Sequence, residues 1–391
     1  MHFGKVLIGC GIALLSFGTA AVARSVSNPG AQPAIPKAEE IPIAMLLDMS
    51  SGQILHERNA DRRFIPASIT KVMTTYLSFE LLAEGKARRN QTFTVRPETF
   101  QRWSQKGSTM FLPHDAQVTF DQLLHGVTTV SANDASVVLA EGLAGSVPNW
   151  AEMMNAKAKS IGMENSHFAS PNGWPDEGKT FVTARDLTIL ARTMIAEHPE
   201  KYAHFFGKRE YSFGDITQSN RDPMLGRVKG ADGIKTGFTN EAGFGFLGSA
   251  KRDGVRLILL VGGVDRGYIR DRAARAYMEW GFQAFNRRFL FGPGETVANA
   301  RVQGGNVSQV DLVSQDGVNA VIANGASGDI SVRLHYNGPL RAPIEQGEEV
   351  AQLEIMVDGM PTSKIPLVAG HEVTRASGLR RLFNGFAGWF S

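Results

Sequence analysis

Cysteine is almost missing from this chain, which has one, Cys10, among its 391 residues. A disulfide framework and a cysteine-ligated metal site are therefore excluded. The sequence also lacks H-E-x-x-H and G-x-S-x-G motifs, and His125 and His167 stand at no metal-binding spacing. These absences argue against a zinc peptidase and an α/β-hydrolase. We expect no metal and no cofactor.

Neither sign of charge predominates in the composition. The chain has 41 Lys and Arg against 38 Asp and Glu, which gives a formal net charge of +3. No long basic block lies in the interior, so nucleic acid is not an expected partner. A hydrophobic content of 43% and a charged content of 20% are typical of a globular protein. The length allows two or three domains.

An apolar run near the N-terminus is too short to predict a transmembrane helix. It covers residues 6–17, follows Lys5 and precedes a small-x-small cleavage site at 21–23. This pattern predicts a secretory signal peptide over residues 1–23, so we expect the mature protein to work outside the cytoplasm. Residues 7–10 resemble a lipoprotein cleavage box, and lipidation is the second interpretation.

Local patterns divide the next part of the chain into two segments. Residues 24–42 are rich in Pro, Ala, Ser and Gly and predict an extended leader. From 43 to 290, strand-like and helical patterns alternate, which predicts one domain that mixes strands and helices. Within it we expect a hairpin over 43–56, a buried helix after Ser68 and a helix over 271–289.

The C-terminal part has a different pattern, and a Gly-Pro-Gly sequence at 292–294 predicts the boundary. Over 295–372, short Val, Leu and Ile segments alternate with turn residues, which predicts a small all-β domain. Residues 374–391 place apolar and aromatic side chains at helical spacing beside arginines. That pattern predicts an amphipathic helix on a membrane surface. A helix packed on its own domain is the alternative.

Ser68 and Lys71 form the first chemical motif. They are three residues apart, so a helix would place both side chains on one face, and Pro66 suits the start of that helix. A serine hydroxyl becomes a nucleophile when a base removes its proton. A lysine amine is such a base if burial or a neighbouring cation lowers its pKa. This S-x-x-K is unique in the chain, although so short a pattern also arises by chance.

Two further motifs follow in the chain. Residues 131–133 match S-x-N, and residues 235–237 match K-T-G on a predicted strand. Residues 170–172 also match S-x-N. We favour Ser131 because it precedes a predicted helix, whereas Ser170 lies in a loop rich in Pro and Gly.

The order S-x-x-K, S-x-N and K-T-G resembles that of penicillin-binding proteins and serine β-lactamases. The residues flanking Ser68, Ser131 and Lys235 narrow the resemblance to low-molecular-mass D-alanyl-D-alanine carboxypeptidases, over nearly the whole chain. This resemblance implies an α/β (α+β) transpeptidase domain of the penicillin-binding and β-lactamase-like type, with a central antiparallel sheet flanked by helices. A small all-β C-terminal domain and an amphipathic helix would follow. Ala132 is a departure, since glycine is common there in this subfamily.

The resemblance also implies a role for each motif residue. Ser68 would attack the substrate carbonyl and form an acyl-enzyme, Lys71 would take its proton, and Ser131 would relay a proton to the leaving D-alanine. The backbone N–H groups of Ser68 and Phe238 would form the oxyanion hole. Substrate binding would fall to Asn133, Lys235, Thr236, Gly237 and Phe238. Arg221 and Arg270 are secondary candidates for binding the substrate carboxylate, and an ordinary surface or helix-face charge is equally expected for each.

The implied function is that of a serine-type D-alanyl-D-alanine carboxypeptidase that removes the terminal D-Ala from peptidoglycan stem pentapeptides. β-Lactam antibiotics would be covalent inhibitors. The protein would be periplasmic and attached to the outer face of the inner membrane through its C-terminal helix. A D-alanyl-D-alanine endopeptidase, a β-lactamase and an inactive wall-binding protein are the alternatives. The intact motif residues argue against the last.

Overall fold

The computed structural model describes residues 14–15, 35, 37, 40–315 and 317–376. These residues divide into two compact units. The first contains 55–283 and the described residues between 32 and 49, and the second contains 14–15, 50–54 and the described residues from Ala284 onward. The second unit therefore begins before the predicted boundary at 292–294.

A five-stranded sheet organises the first unit. In spatial order the strands of this sheet are β3 (Gln53–Arg58), β2 (Ile43–Asp48), β10 (Val255–Val264), β9 (Gly243–Arg252) and β8 (Ala231–Thr239), and residues 53–54 of β3 are grouped with the second unit. The pairings β2–β10, β10–β9 and β9–β8 are antiparallel. Residues 257–261 of β10 have no exposed surface. Because successive side chains point to opposite faces, both faces of the sheet are covered.

Along the chain, helices and short strand pairs lie between the strands of this sheet, and they supply the walls of the site. The helices are α1 (Lys71–Ala83), α2 (Pro97–Trp103), α3 (Phe120–His125), α4 (Asn133–Ala144), α5 (Val147–Ser160), α6 (Ala184–Glu197), α7 (Pro199–Phe205) and α8 (Gly267–Gln283). One short antiparallel pair joins β4 (Thr92–Thr94) to β5 (Gln117–Thr119), and a hairpin joins β6 (Glu210–Phe213) to β7 (Ile216–Ser219). A 3₁₀ turn (Ala67–Thr70) precedes α1, and a π-helical turn (Gly126–Val130) follows α3.

Local sequence explains several of the helix starts. Thr119 and Gln122 form a capping box at the start of α3, which satisfies backbone N–H groups that a helix start leaves free. Thr183 caps α6, since its side chain accepts a hydrogen bond from the backbone N–H of Asp186. Helix α1 is buried from Lys71 through Phe79, as its apolar residues predicted.

The second unit is all-β in its described residues, as predicted. Its seven-stranded sheet has the order β1 (Leu14–Leu15), β15 (Ile330–His335), β17 (Glu349–Val357), β18 (Ser363–Ala369), β13 (Gln309–Val313), β12 (Thr296–Gln303) and β16 (Leu340–Arg341). A separate pair joins β11 (Phe285–Phe291) to β14 (Val318–Ala323). Its apolar core includes Leu312, Leu353, Ile355 and Leu367.

The predicted helix over 271–289 is wrong at its C-terminal end. Helix α8 stops at Gln283, and residues 285–291 form strand β11. That strand pairs with β14, with Asn286 opposite Ile322 and Phe289 opposite Asn319. Hydrogen bonding to a distant strand therefore overrides the helical spacing of the local sequence.

The predicted tail helix lies almost entirely outside the described residues. Its first three residues, 374–376, are not helical, because Arg375 forms a β-bridge with Gly305 just after Val373 pairs with Ile344. Most of the predicted signal peptide and leader also lies outside the described residues. In the part of the chain that is described, no helix is long and apolar enough to cross a membrane.

Candidate active site

The three sequence motifs meet at one cleft of about 400 Å³ in the first unit. The 3₁₀ turn before α1 supplies Ser68, the segment leading into α4 supplies Ser131 and Asn133, and β8 supplies the K-T-G strand. The predicted residues that line the cleft are Ser68, Ser131, Asn133, Arg221, Thr236, Gly237, Phe238 and Arg270.

Lys71 is the centre of the hydrogen-bond network beneath this cleft. Its Nζ lies 2.9 Å from Ser68 Oγ, 2.8 Å from Asn133 Oδ1 and 2.7 Å from the backbone oxygen of Asn172. Ser68 belongs to the 3₁₀ turn, and the α-helix begins at Lys71. The two side chains nevertheless lie on one side of the chain, as their spacing predicted.

The environment of Lys71 favours its neutral form. The side chain has no exposed surface, and this burial lowers the pKa of the amine well below its usual value because desolvation disfavours the charged form. The positive charges of Lys235 and Arg221 lower the pKa further, and Asp134 opposes them. A neutral amine beside a serine hydroxyl can accept its proton.

Backbone geometry at the second motif directs Asn133 toward Lys71. Ser131 ends the π-helical turn in the left-handed region, with φ 66° and ψ 32°, which is uncommon for a residue other than glycine. Asn133 donates from its backbone N–H to Ser108 O and from its side-chain Nδ2 to Lys106 O. Because the amide nitrogen is occupied in this way, Oδ1 faces the lysine.

The other S-x-N sequence also lies near the cleft, with a different arrangement. Ser170 Oγ accepts a hydrogen bond from the backbone N–H of Gly173 and so stabilises the loop. The side chain of Asn172 accepts from the backbone N–H of Trp174. In this motif it is the backbone oxygen of Asn172 that accepts from Lys71.

The K-T-G strand lies against the turn that carries the serine. An added Cβ at Gly237 would lie 2.5 Å from the backbone oxygen of Pro66, so only glycine allows this approach of β8. Phe238 is half-exposed, and its ring stacks on Phe244 with a centroid distance of 4.1 Å.

Three basic side chains lie at the cleft, and one of them, Arg270, is paired with Asp271 at 2.6 Å. Burial lowers the pKa of Lys235 to about 7, and Arg221 and Arg270 lower it as well. Arg221 is exposed and donates to Ser108 Oγ at 2.6 Å. Arg270 is buried and donates to the backbone oxygen of Gly245 at 3.0 Å. This cluster suits the recognition of a substrate carboxylate.

Sequence reasoning missed several residues that shape the cleft. Asn172 matters through its backbone oxygen, which no side-chain motif reveals, and Lys71 lies far from it in the chain. The ring of Trp174 packs edge-on against Trp103 and forms part of the wall. The further lining residues are Gly107, Ser108, Gly173, Pro175, Thr239 and Phe244. The sequence indicated that Ser170 lies in a loop but gave no sign that residues of this loop line the cleft.

Asp134 holds another wall of the cleft in place. Its carboxylate accepts hydrogen bonds from the Thr109 hydroxyl and from the backbone N–H groups of Met110 and Leu112. Those bonds fasten the segment next to Ser108, which in turn contacts Asn133 and Arg221. Asp134 is therefore a positioning residue.

We expect Asp134→Ala to lower the free energy of unfolding by roughly 3 kcal/mol, because it leaves buried donors without their charged acceptor. Chemical denaturation measures this loss. Asp134→Asn is the matched control, since it keeps the shape and one acceptor oxygen and should cost less. Equal stability of wild type and Asp134→Ala would contradict the positioning role.

A serine beside a buried lysine base, with cations for a carboxylate, defines an acyl-transfer enzyme of the serine–lysine type. Comparison with known families narrows this class of enzyme further. The family model described as D-alanyl-D-alanine carboxypeptidase matches residues 31–265, and that of the penicillin-binding protein 5 C-terminal domain matches residues 285–375. The chain belongs to the D-alanyl-D-alanine carboxypeptidase family and is a serine-type enzyme of that family.

Individual relatives are similar to this chain over most of its length. The D-alanyl-D-alanine carboxypeptidase DacA of Haemophilus influenzae is 31% identical to this chain, over 87% of this chain and 87% of its own. DacC of Escherichia coli is 31% identical over 89% of this chain and 90% of its own. The structure of penicillin-binding protein 5 from H. influenzae superposes with a TM-score of 0.72 at 30% identity, over 90% of this chain and 100% of its own.

Proposed function

We propose that Ser68 is the nucleophile with which this enzyme removes the terminal D-alanine from peptidoglycan stem pentapeptides. One observation carries the assignment. Lys71 Nζ lies 2.9 Å from Ser68 Oγ in a buried position that lowers the pKa of the amine. A hydroxyl and a neutral amine at hydrogen-bond distance are the parts that nucleophilic attack requires.

Acylation follows from this geometry. Ser68 Oγ bonds to the carbonyl carbon of the penultimate D-alanine while its proton passes to Lys71 Nζ. The backbone N–H groups of Ser68 and Phe238 stabilise the negative oxygen that develops. The carbon–nitrogen bond to the terminal D-alanine then breaks. The proton reaches the leaving amine by way of Ser131, which lines the same cleft.

Specificity for a free C-terminus comes from the cationic end of the cleft. Lys235 and Thr236 bind the terminal carboxylate, and the guanidinium groups of Arg221 and Arg270 add positive charge beside it. Asn133 holds Lys71 and the substrate amide. Water then attacks the acyl-enzyme carbonyl, returns the proton to the serine and releases the shortened peptide. A carboxypeptidase therefore fits this cleft.

The same serine should react with β-lactams. Structures of penicillin-binding protein D2 from Listeria monocytogenes in ampicillin-bound and cefotaxime-bound forms resemble this chain with a TM-score of 0.57, over 62% of this chain and 98% of theirs. A β-lactam has a carboxylate and a reactive amide, which match the cations and the serine of the cleft. Opening of its ring by Ser68 leaves a covalent acyl-enzyme.

The decisive experiment incubates the purified protein with diacetyl-Lys-D-Ala-D-Ala and follows the products by mass spectrometry. We expect free D-alanine and the peptide shortened by one residue. Retention of labelled penicillin on the same preparation distinguishes this enzyme from a β-lactamase, which would release the label quickly. An intact peptide in the presence of folded, penicillin-labelled protein would contradict the proposed activity.

We further propose that the enzyme acts in the periplasm, on the outer face of the inner membrane. The apolar run at 6–17 supports export, and the spacing of apolar residues over 374–391 supports an interfacial helix. Arginines beside that apolar face would meet anionic headgroups. This attachment places the enzyme close to its peptidoglycan substrate.

Truncation of the chain after Ala376 is expected to separate attachment from catalysis. This end point keeps the bridges of Val373 with Ile344 and of Arg375 with Gly305, and so retains the described β-structure. The truncated protein should lose binding to anionic vesicles, measured by co-sedimentation, and should keep peptide hydrolysis. Salt should weaken only part of the full-length binding, because screening acts on the arginines and not on the apolar face. Equal sedimentation of both forms would contradict the membrane role.

A further inference from the structure

A cluster of two histidines and one aspartate lies on the first unit, outside the residues that line the catalytic cleft. Asp121 and His125 are four residues apart on α3, and His204 is on α7. One potential ligand atom from each residue lies within 4.8 Å of the others. Imidazole and carboxylate groups on one side of two helices are the ligand types that zinc accepts.

Two nitrogen–oxygen distances within this cluster are close to the separation of ligand atoms in a tetrahedral metal site. His204 Nε2 lies 3.1 Å from Asp121 Oδ1, and His125 Nε2 lies 3.7 Å from Asp121 Oδ2. Zinc bonds of about 2.0–2.2 Å to nitrogen and oxygen separate tetrahedral ligand atoms by about 3.3–3.5 Å. The two histidines approach different oxygens of the same carboxylate, and one ligand atom from each residue lies within 4.8 Å of the others, so binding of one ion requires these side chains to move closer together.

A guanidinium now bridges two of these ligands. Arg89 donates from Nε to Asp121 Oδ1 and from Nη2 to His204 Nε2, each at 2.7 Å. Its side chain is 56% exposed, so it can turn into solvent when a cation replaces it. The guanidinium supplies the positive charge that a metal ion would bring to the same atoms.

The second cluster of this kind among the described residues has a different character. It consists of Glu80, Glu197 and His198. Glu80 is paired with Lys157, and Glu197 accepts from the Tyr76 hydroxyl. His198 is buried. The polar atoms of this second cluster are thus satisfied inside the protein. In the Asp121 cluster, by contrast, the bridging cation is Arg89, an exposed side chain that can be displaced.

We propose that Asp121, His125 and His204 bind a divalent transition-metal ion, zinc being the best match, with Arg89 as the group that the ion displaces. Water would complete the coordination of the three protein ligands. The ion would join α3 to α7. The π-helical turn that follows α3 leads directly to Ser131, and Thr128 in this turn already donates to Phe205 O at 2.9 Å. Metal binding would reinforce that connection.

Isothermal titration of the full chain with zinc chloride tests the proposal. Wild type should bind zinc at this site, and His125→Ala and His204→Ala should each weaken that binding by at least about tenfold. Arg89→Ala should tighten it, because the competing guanidinium is gone. His335→Ala is the matched control, since it removes a histidine paired with one carboxylate, Glu354, and should leave zinc binding unchanged.

Two further measurements make the result independent of catalysis. Zinc should raise the thermal midpoint of wild type and of His335→Ala, but not of His204→Ala, because a ligand stabilises only the state that binds it. Bound Co²⁺ should show the visible absorption of a four-coordinate ion in wild type and lose it in His125→Ala. The variants must match wild type in circular dichroism without metal.

Three outcomes would overturn the proposal. Equal zinc affinity in wild type, His125→Ala and His204→Ala would place the ion elsewhere. Zinc binding by Arg89→Ala alone would show that the guanidinium keeps the metal out. Absence of zinc binding in every form would leave the cluster as an ion pair.

Discussion

Ser68→Ala is expected to abolish both peptide hydrolysis and covalent penicillin labelling. The variant keeps the cleft and its cations but lacks the atom to which the acyl group bonds. The rate of D-alanine release should fall by roughly 10⁴-fold or more, the scale seen when a catalytic nucleophile is removed. Mass spectrometry of the protein after incubation with penicillin should find no added mass.

Ser170→Ala is the matched control for that experiment. Ser170 also begins an S-x-N sequence, but its hydroxyl accepts from the loop N–H of Gly173. The variant should still be labelled at Ser68 and should retain hydrolysis. Label that survives Ser68→Ala and maps to another serine would refute the assignment of the nucleophile.

Lys71→Ala is expected to have the second largest effect. Its amine is the base nearest Ser68 Oγ, and removal of a general base costs about 10²–10⁴-fold. The loss should appear in the acylation rate, measured by stopped-flow with a fluorescent penicillin. Circular dichroism checks the fold, because Asn133 Oδ1 and Asn172 O lose their donor.

Lys235→Ala is expected to distinguish the role of Lys235 in substrate binding from that of Lys71 in acylation. We expect weaker binding and slower acylation of substrates that bear a carboxylate, with a smaller effect on substrates in which that carboxylate is an amide. Lys71→Ala should slow both kinds of substrate equally. Small and equal effects of the two variants on the acylation rate would contradict these separate roles.

The pH dependence follows from the lowered pKa values of both amines. As pH falls through the lowered pKa of Lys71, the amine becomes protonated and acylation slows. As pH rises through about 7, Lys235 loses its charge, so binding of a carboxylate-bearing substrate weakens. Lys235→Ala removes a charge that lowers the pKa of Lys71, and the acidic limb of the acylation profile should shift to higher pH. An unshifted limb would contradict this coupling.

The lowered pKa of Lys71 also determines how the stability of the folded protein changes with pH. The unfolded chain holds a proton on Lys71 at neutral pH, whereas the folded environment disfavours it. Stability from this group therefore increases as pH rises from the folded pKa toward the unfolded one. The burial that lowers the pKa of Lys71 therefore makes the folded protein less stable at lower pH.

The short-range chemistry of this protein is readable from its sequence. Three motifs in order predicted the residue types of the cleft, and the spacing of Ser68 and Lys71 predicted their proximity, because three residues of helical backbone bring two side chains together. The alternating pattern after residue 295 predicted the all-β unit for a similar local reason.

Tertiary structure decided those features of the fold and the site that depend on residues far apart in the chain. Strand β11 replaces the end of a predicted helix because β14 supplies its hydrogen bonds. Asn172 joins the network of Lys71 through a backbone oxygen. Burial lowers the pKa of Lys71, and neither the desolvation nor the charge of Lys235 that lowers it can be read from the motif itself. The sequence by itself determined the motif residues of the site, and folding decided their pKa values, their partners and the other residues of the cleft, since all of these depend on surroundings that distant segments provide.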